Sequence, residues 1–238
     1  TMANPFGTLY NAASIEACLT RIVSGHPFVA DELIRHDGLY HSMMHHTRFS
    51  HAEQVVCLQH INESLADAHA RLSAVQWVVV TLGTAWVFEM NGQVVGNCHK
   101  LPAQQFTHRR MLVDEVRQCL MHIVDLLPDK RFVFTVSPIR HKGGSLHQNQ
   151  LSKATLLLAE DEVCTTVGTR CCYFPSYEIM LDELRDYRFT AADMMHPTDV
   201  AADYICERFV SHFLTDEAQT YCREQERLLR QSRHIPFR

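Results

Sequence analysis

Asp193 and His196, in the stretch ADMMHPTDV, are the residue types that hydrolytic catalysis uses. A carboxylate that holds one ring nitrogen of a histidine leaves the other nitrogen to take a proton from a nucleophile. The histidine then acts as base and acid, and the carboxylate orients it. In a chain with 16 histidines, one Asp-x-x-His spacing is weak information by itself. The elements that position the pair must therefore decide whether it is functional.

Three apolar runs predict the strands that would position this pair. They read QWVVVTLG (76–83), RFVFTVSP (131–138) and RCCYFPSYE (170–178). Runs that are rich in valine and phenylalanine and poor in charge are typical of strands covered on both faces. Strands that alternate with amphipathic helices predict an α/β fold, here a three-layer α/β/α sandwich with a mostly parallel central sheet.

The connecting segments contain helix and hairpin patterns. Apolar residues recur at helical spacing over residues 15–23, 55–72 and 112–127. Ser50 and Glu53 have the spacing of a capping box, which predicts the start of the second of these helices. Asn91-Gly92 lies between two apolar runs and predicts a tight β-hairpin after the first strand.

Polar residues and glycines follow each predicted strand, where an open parallel sheet binds its ligands. The first two strands are followed by Gly83, Thr84, Trp86, Ser137 and Arg140. Asp193 and His196 follow the third strand after an intervening helix. Pro197 suits the first position of a helix, which predicts that His196 is the N-cap of the next one. The sequence therefore predicts that the pair lies at the carboxyl edge of the sheet.

Seven motifs in order resemble the GSCFA family, a bacterial group related to the SGNH, or GDSL-type, hydrolases. They are NPFGTLYN (4–11), TLGTAWVFE (81–89), NCHKLP (97–102), TVSPIRH (135–141), LSKATL (151–156), YFPSYEIMLDELRDYRF (173–189) and DMMHP (193–197). The resemblance spans the chain to about residue 213 and implies an SGNH-like, or flavodoxin-like, sandwich. It also implies a catalytic triad in which Asp193 and His196 are two members.

The resemblance also implies an oxyanion hole. Gly7 resembles the glycine of the second SGNH block, and Gly83 that of the third. Ala85 stands where SGNH enzymes commonly have an asparagine, so Thr84, or Asn97 from the hairpin, would supply the missing donor. The nucleophilic serine of the family lies after the first strand, in the motif that gives GSCFA its name.

The tripeptide GSC occurs nowhere in this sequence. The resemblance therefore implies that the first strand, the serine and the following helix lie upstream of Thr1. In an SGNH-type sheet that strand is internal, and each backbone group left buried and unpaired costs ~1–3 kcal/mol. We expect an N-terminal segment, or a partner in a homo-oligomer, to complete the sheet.

The remaining candidates are substrate-contacting residues: His46, Trp86, His99, Ser137 and Arg140. Ser137 is a weak alternative nucleophile, because it lacks a Gly-x-Ser-x-Gly context; it would otherwise cap its turn or line the pocket. His41, His45, His46 and His51 have no acidic partner at a recognised metal-binding spacing. The sequence therefore predicts neither a metal nor another cofactor.

Composition limits the class of protein. The net charge of −5 and pI of about 6.3 disfavour a nucleic-acid surface. No apolar run reaches the ~20 residues of a membrane-spanning helix, and no signal peptide begins the chain. Nine cysteines without C-x-x-C spacing predict reduced thiols and a cytoplasmic location. We predict one α/β domain over residues 1–214 and a charged helical segment over residues 215–238.

The preferred hypothesis is a serine esterase or O-acyl esterase, with a glycan or small-molecule ester as substrate. An acyltransferase with the same triad is the nearest variant, because only the acceptor of the acyl group differs. A non-catalytic binding or scaffold protein that retains the fold is the alternative from another class. A metal-dependent hydrolase built on the histidine cluster is the third hypothesis.

Overall fold

A computed structural model of the chain describes residues 2–141 and 144–233. Its strands are β1 (Leu33–His36), β2 (Leu39–Ser42), β3 (Trp77–Leu82), β4 (Trp86–Met90), β5 (Gln93–Val95), β6 (Thr107–Arg110), β7 (Arg131–Val136) and β8 (Cys171–Phe174). Its helices are α1 (Ala12–Ser24), α2 (Gln54–Leu72), α3 (Val113–Leu126), α4 (Leu146–Val167), α5 (Ser176–Glu178), α6 (Asp199–Phe213) and α7 (Asp216–Arg233). The chain divides into two compact units, residues 1–175 and 176–238.

The three predicted strands form one parallel sheet in the order β3-β7-β8. The central strand β7 is apolar on both faces, and Phe132 and Phe134 are fully buried in it. Among the described residues β3 pairs with β7 alone, so its other edge is free. Trp77 and Val79 on β3 are 45% and 51% exposed. The fold is therefore α/β with a three-stranded parallel sheet.

The helices predicted from periodicity are α1, α2 and α3. α1 is capped by Asn11, whose side chain accepts a hydrogen bond from the Ser14 backbone. The predicted capping box was wrong in its position: α2 begins at Gln54, and its N-cap Glu53 makes no side-chain cap. The Ser50 hydroxyl is instead 2.6 Å from the His41 ring, which it contacts in place of the helix backbone.

One buried apolar cluster of the first unit lies between α1, α2 and the segment before α1. Phe6, Ile22, Phe28, Ile61 and Leu65 are buried together there. The rings of Phe6 and Phe28 meet edge to face at 5.6 Å. This packing fixes the residues before α1, which include Gly7.

The predicted hairpin is present between β4 and β5. Asn91 and Gly92 form its two-residue loop with φ values of 53° and 77°. Both values are positive, as the turn of a tight hairpin requires. β6 pairs with the other edge of β4, so a small antiparallel sheet in the order β5-β4-β6 follows the first parallel strand.

The second unit is helical. A π-helical turn over Ile179–Glu183 follows α5, and Glu183 accepts hydrogen bonds from Tyr204 and Arg208 of α6. The N-cap of α6 is Thr198, whose hydroxyl accepts from the Ala201 backbone, so the prediction of His196 as N-cap was wrong. Pro197 is the residue immediately before this cap.

The predicted charged helical segment corresponds to α7, and residues 234–238 of that prediction lie outside the described residues. All nine cysteines are free thiols. Across residues 2–141 and 144–233, no helix combines the length and the apolar character that crossing a membrane requires.

Candidate functional site

The predicted dyad is formed in the second unit. Nδ1 of His196 lies 2.6 Å from Oδ2 of Asp193, which is the distance of a charge-assisted hydrogen bond. With the proton on Nδ1, Nε2 carries the lone pair that a general base needs. The side chains of His196 and Asp193 are 53% and 40% exposed within the structure. The arrangement can therefore exchange a proton with a group that approaches from solvent.

A closed loop holds the dyad. The Ala191 N–H donates to the His196 carbonyl at 2.8 Å, and the Thr198 N–H donates to the Phe189 carbonyl at 2.9 Å. Between these bonds, Met194 adopts a φ of 61°, which a non-glycine residue rarely adopts. The positive φ turns the chain tightly enough for Asp193 to reach the histidine three residues later.

Asp193 also stabilises this loop directly. Its Oδ1 accepts hydrogen bonds from the backbone N–H groups of Met195 and His196, at 2.9 and 3.0 Å. The backbone bond from His196, the bond from the His196 ring and the bond from Met195 hold the pKa of the Asp193 carboxyl well below its usual range. Asp193 is therefore a carboxylate at neutral pH.

A groove of about 810 Å³ in the first unit contains three of the predicted site residues. Gly7, Gly83 and Ser137 line it, together with the exposed edge of β3 and the apolar side chains of α1. Gly83 and Ser137 follow β3 and β7 directly, so they lie at the carboxyl edge of the sheet. This is the edge at which α/β sheets bind ligands.

Gly7 occupies a position that excludes side chains. Its φ is +92°, and a Cβ atom there would stand 2.2 Å from the Cβ of His46. The N–H of His46 donates to the Phe6 carbonyl at 2.8 Å, which holds the two segments together. The N–H of Gly7 donates to the Asn4 carbonyl at 2.8 Å. Gly7 and His46 are therefore neighbours, and the predicted oxyanion donor of Gly7 is engaged.

Gly83 and Thr84 share one acceptor. Their backbone N–H groups both donate to the Tyr10 carbonyl, at 2.8 and 2.9 Å. The segment that contains Gly7 and the end of β3 are thus tied through Tyr10. The predicted oxyanion donor of Gly83 is also engaged in this structure.

Thr84 is buried directly after the groove residue Gly83. Its hydroxyl lies 3.1 Å from the Ser152 hydroxyl and accepts a hydrogen bond from the Trp86 N–H at 3.0 Å. The Ser152 hydroxyl accepts from the Ala85 N–H at 2.8 Å. The Thr84 and Ser152 side chains thus satisfy the backbone where the chain leaves β3 and enters β4.

Asn97 and His99 form a separate cluster with Thr47. The Asn97 amide is 3.5 Å from the Thr47 hydroxyl, which is 3.4 Å from Nδ1 of His99. Nε2 of His99 lies 2.8 Å from the Ser42 carbonyl. Burial lowers the pKa of His99, although the bond to Ser42 opposes this shift. His99 is therefore a buried, neutral side chain at neutral pH. It contacts Thr47, the residue after His46.

The other predicted contacts have plain surroundings. Trp86 packs over His108 of β6, with ring centroids 4.8 Å apart, and covers the small sheet. The Ser137 hydroxyl accepts from the Ile139 N–H at 3.3 Å, as a turn-capping serine does. Arg140 is half-buried in the same loop. Neither Trp86 nor Arg140 is among the described residues that line the groove.

The sequence predictions missed two residues at this edge, Lys153 and His141. Nζ of Lys153 donates to the carbonyls of Gly83 and Ser137, at 2.7 and 2.6 Å. Nε2 of His141 lies 2.9 Å from the same Gly83 carbonyl. A signal for Lys153 existed: it shares a helical face with Leu156 and Val163, so a lysine stands where the periodicity of α4 demands an apolar residue.

The histidine-rich segment carries no metal-binding arrangement that the structure reveals. Within residues 2–141 and 144–233, no three His, Cys, Asp or Glu side chains converge as metal ligands. His45 is fully buried, with Nδ1 2.8 Å from the Ser42 hydroxyl and its ring stacked on Phe6. Burial, followed by the charges of His99 and Arg21, lowers the pKa of His45 to about 3.

Comparisons with protein families, curated proteins and solved structures identify the family of this chain. No curated protein and no solved structure is similar enough to this chain to be matched. A family model, that of the GSCFA family, matches residues 1–209. The match includes the groove residues Gly7, Gly83 and Ser137 and the dyad of Asp193 and His196. Because it covers most of the sequence, the chain belongs to the GSCFA family.

Proposed function

We propose that the chain is the acid–base part of a serine hydrolase of the SGNH type, acting on an ester. The substrate class is an acyl or O-acetyl group on a glycan or a small metabolite. The observation that carries the proposal is the 2.6 Å bond between Asp193 and Nδ1 of His196. It leaves Nε2 as a proton acceptor, which is the state that activates a serine hydroxyl.

The proposed reaction has two steps. Nε2 of His196 takes the proton of the serine hydroxyl while the serine oxygen attacks the ester carbonyl, and the imidazolium then gives this proton to the departing alcohol. In the second step His196 takes a proton from water, whose oxygen attacks the acyl-enzyme, and the acid is released with the serine restored. Backbone N–H groups at Gly7 and Gly83 are the proposed oxyanion donors, once they release the carbonyls of Asn4 and Tyr10, with Thr84 or Asn97 as a further donor.

We assign the serine to an additional strand that pairs with the free edge of β3. The support is the groove along that edge, together with the exposed side chains of Trp77 and Val79. A strand added there would complete the three-layer α/β/α sandwich with a larger parallel sheet. The GSC motif that the family resemblance implies for an N-terminal segment would then stand at the carboxyl edge, near Gly7 and Gly83.

Hydrolysis of p-nitrophenyl acetate by the full-length protein tests the proposal. His196→Ala should lower the rate by roughly 10²- to 10⁴-fold. His26→Ala, at an exposed histidine in the first unit, is the matched control and should keep the wild-type rate. A fluorophosphonate probe should label one serine, which peptide mapping then identifies. Equal rates for wild type and His196→Ala would remove the dyad from the reaction.

A substitution on the free edge of β3 tests the assignment of the serine. Val79→Lys places a charge on the face of β3 beside its free edge. It should abolish labelling by the probe, because an added strand and its helix would bury the unpaired ammonium. Val55→Lys, at a valine that is 76% exposed on α2, is the matched control and should leave labelling intact. Undiminished labelling of Val79→Lys would place the serine elsewhere.

An acyltransferase is the nearest variant of the proposal. A sugar hydroxyl would replace water in the second step, and the rest of the chemistry would be unchanged. Adding a series of sugars to the p-nitrophenyl acetate assay separates the two activities. A transferase yields the acetylated sugar, whereas a hydrolase yields acetate alone.

One observation favours a second candidate, a non-catalytic binding or scaffold protein. The N–H groups of Gly7 and Gly83 already donate to the carbonyls of Asn4 and Tyr10. A ready oxyanion hole would leave such donors available to the substrate. Absence of both ester hydrolysis and probe labelling in the full-length protein would support this candidate.

The domain extent of residues 1–214 and a cytoplasmic location stay predictions.

A further inference from the structure

Lys153 connects the ends of two strands from a buried position. Its side chain is 1% exposed on α4, and its ammonium donates to the carbonyls of Gly83 and Ser137, at 2.7 and 2.6 Å. Gly83 follows β3 and Ser137 follows β7. A lysine is rarely this buried, because desolvation of its charge is costly. The burial of Lys153 therefore requires an explanation.

We propose that Lys153 is a positioning residue for the candidate active site: it fixes the carbonyls of Gly83 and Ser137, and with them the peptide between Gly83 and Thr84. The inference rests on the proposed function for its catalytic consequence. Its structural part, the fixing of the two strand ends, stands on the hydrogen bonds alone.

The bonds lie where the sheet itself no longer holds the strands. The last ladder bond between β3 and β7 runs from the Ser137 N–H to the Leu82 carbonyl, at 2.8 Å. Beyond it the two chains turn toward different elements. The Lys153 ammonium binds one carbonyl after each strand, in place of a ladder bond, and so holds the groove residues Gly83 and Ser137 at a fixed spacing.

The peptide between Gly83 and Thr84 is held on both sides. Its carbonyl accepts from Lys153 and lies 2.9 Å from Nε2 of His141, and its N–H donates to the Tyr10 carbonyl at 2.9 Å. A charged donor on a carbonyl polarises the peptide group and strengthens its N–H as a donor. Lys153 therefore acts on the peptide that carries the Thr84 N–H, directly after the proposed oxyanion donor of Gly83.

The buried surroundings of Lys153 affect its pKa and that of its neighbour His141. Burial lowers the pKa of Lys153 to about 7, and burial together with the Lys153 charge lowers the pKa of His141. Because hydrogen bonds to two carbonyls favour the charged form, the ammonium is the species that the geometry supports. The burial of Lys153 and its two hydrogen bonds both indicate that its ammonium interacts with the strand ends and not with solvent.

Substitution of Lys153 in the full-length protein tests the inference. Lys153→Met keeps the shape of the stem and removes the donors. We expect kcat for p-nitrophenyl acetate to fall by about 10- to 100-fold, with KM changed by less than about 3-fold. Lys153→Arg keeps a charged donor and should recover part of the loss in kcat. Lys153→Gln, which keeps an uncharged donor, replaces Lys153→Met where the latter does not fold.

Leu156→Ala is the matched control for a loss of stability. Leu156 is fully buried one turn further along α4, and its truncation lowers the melting temperature without touching either carbonyl. It should leave kcat near the wild-type value. An equal loss of kcat in Leu156→Ala and Lys153→Met would overturn the inference, as would a wild-type kcat in Lys153→Met.

Hydrogen–deuterium exchange separates this inference from the proposed function. Lys153→Met should speed exchange in the peptides that contain residues 83–85 and 137–139, and Leu156→Ala should not speed it there selectively. If the wild type shows no esterase activity, the proposed function fails while this exchange pattern still decides on Lys153. Unchanged exchange at both strand ends would overturn the inference.

Discussion

A Cβ atom at Gly7 would stand 2.2 Å from the Cβ of His46. The segment before α1 and the segment after β2 can pack this closely only because residue 7 has no side chain. Gly7 also has a φ of +92°, which L-residues rarely adopt. The glycine that the family resemblance implies for catalysis thus has a structural role as well. The free energy of unfolding of a Gly7 variant measures this role without any substrate.

Gly7→Ala should lower the free energy of unfolding through both effects. Gly38→Ala is the matched control, because Gly38 has a φ of +76° and nothing within 4 Å of its Cβ position. The control isolates the cost of the backbone conformation, on the order of 1–2 kcal/mol. We expect Gly7→Ala to cost about 1–3 kcal/mol more, as overpacking does. Chemical denaturation measures both, and equal losses would show that the loop of His46 moves freely aside.

Asp193→Asn should uncouple the loop from the chemistry. The amide oxygen still accepts from the N–H groups of Met195 and His196, so the melting temperature should stay close to that of the wild type. The amide NH₂ faces Nδ1, however, and forces the ring proton onto Nε2, which then cannot act as base. We expect the rate of ester hydrolysis to fall by roughly 10²- to 10⁴-fold.

Asp193→Ala is the companion variant, since it removes the loop bonds as well and should lower both rate and stability. A wild-type rate in Asp193→Asn would show that the dyad is only a structural contact.

His45 predicts a pH dependence of stability. Its pKa is about 3 in the folded chain and near 6.5 in an ordinary environment. Between these values the unfolded chain binds a proton that the folded chain lacks. The free energy of unfolding therefore falls as the pH falls through this window, by up to about 1.4 kcal/mol per pH unit from this group.

His45→Phe should make the dependence on pH flatter. The ring of residue 45 lies 4.1, 4.9 and 5.1 Å from the rings of Phe6, Phe28 and Phe49, so a phenylalanine fits the cluster. His26→Gln, at an exposed histidine, is the control for the loss of one imidazole. Denaturation between pH 4 and 7 compares the slopes, and the same slope in His45→Phe and wild type would contradict the assignment.

Thr84→Val should lower the free energy of unfolding by about 1–3 kcal/mol, because it leaves the partly buried N–H of Trp86 without its acceptor. Thr84→Ser keeps the hydroxyl and should recover most of this loss. The comparison, made by chemical denaturation, tests whether Thr84 is a structural hydroxyl. An equal loss in Thr84→Ser would contradict this, because it would show that the packing of the methyl group decides the stability at this position.

Much of the fold followed from local patterns. The strands β3, β7 and β8 were predicted from valine- and phenylalanine-rich runs, and the hairpin because Asn91-Gly92 accepts positive φ. Burial on both faces was wrong for β3, where Trp77 and Val79 are 45% and 51% exposed because the strand lies at the edge of the described sheet. The N-cap of α6 was misplaced by two residues, since His196 and Thr198 both precede a helical pattern around Pro197. Its identity depended on which side chain reaches the first free N–H groups, and Thr198 does so.

Residues close in sequence determined the Asp193–His196 contact, because a three-residue separation needs only one turn of the chain. The bonds of Lys153 to Gly83, 70 positions away, and to Ser137, 16 positions away, were decided by the tertiary structure alone. The same holds for the pairing of Gly83 and Thr84 with the Tyr10 carbonyl. Which donors and acceptors meet across the sheet depends on how the helices pack on it, and spacing along the chain carries no record of that packing.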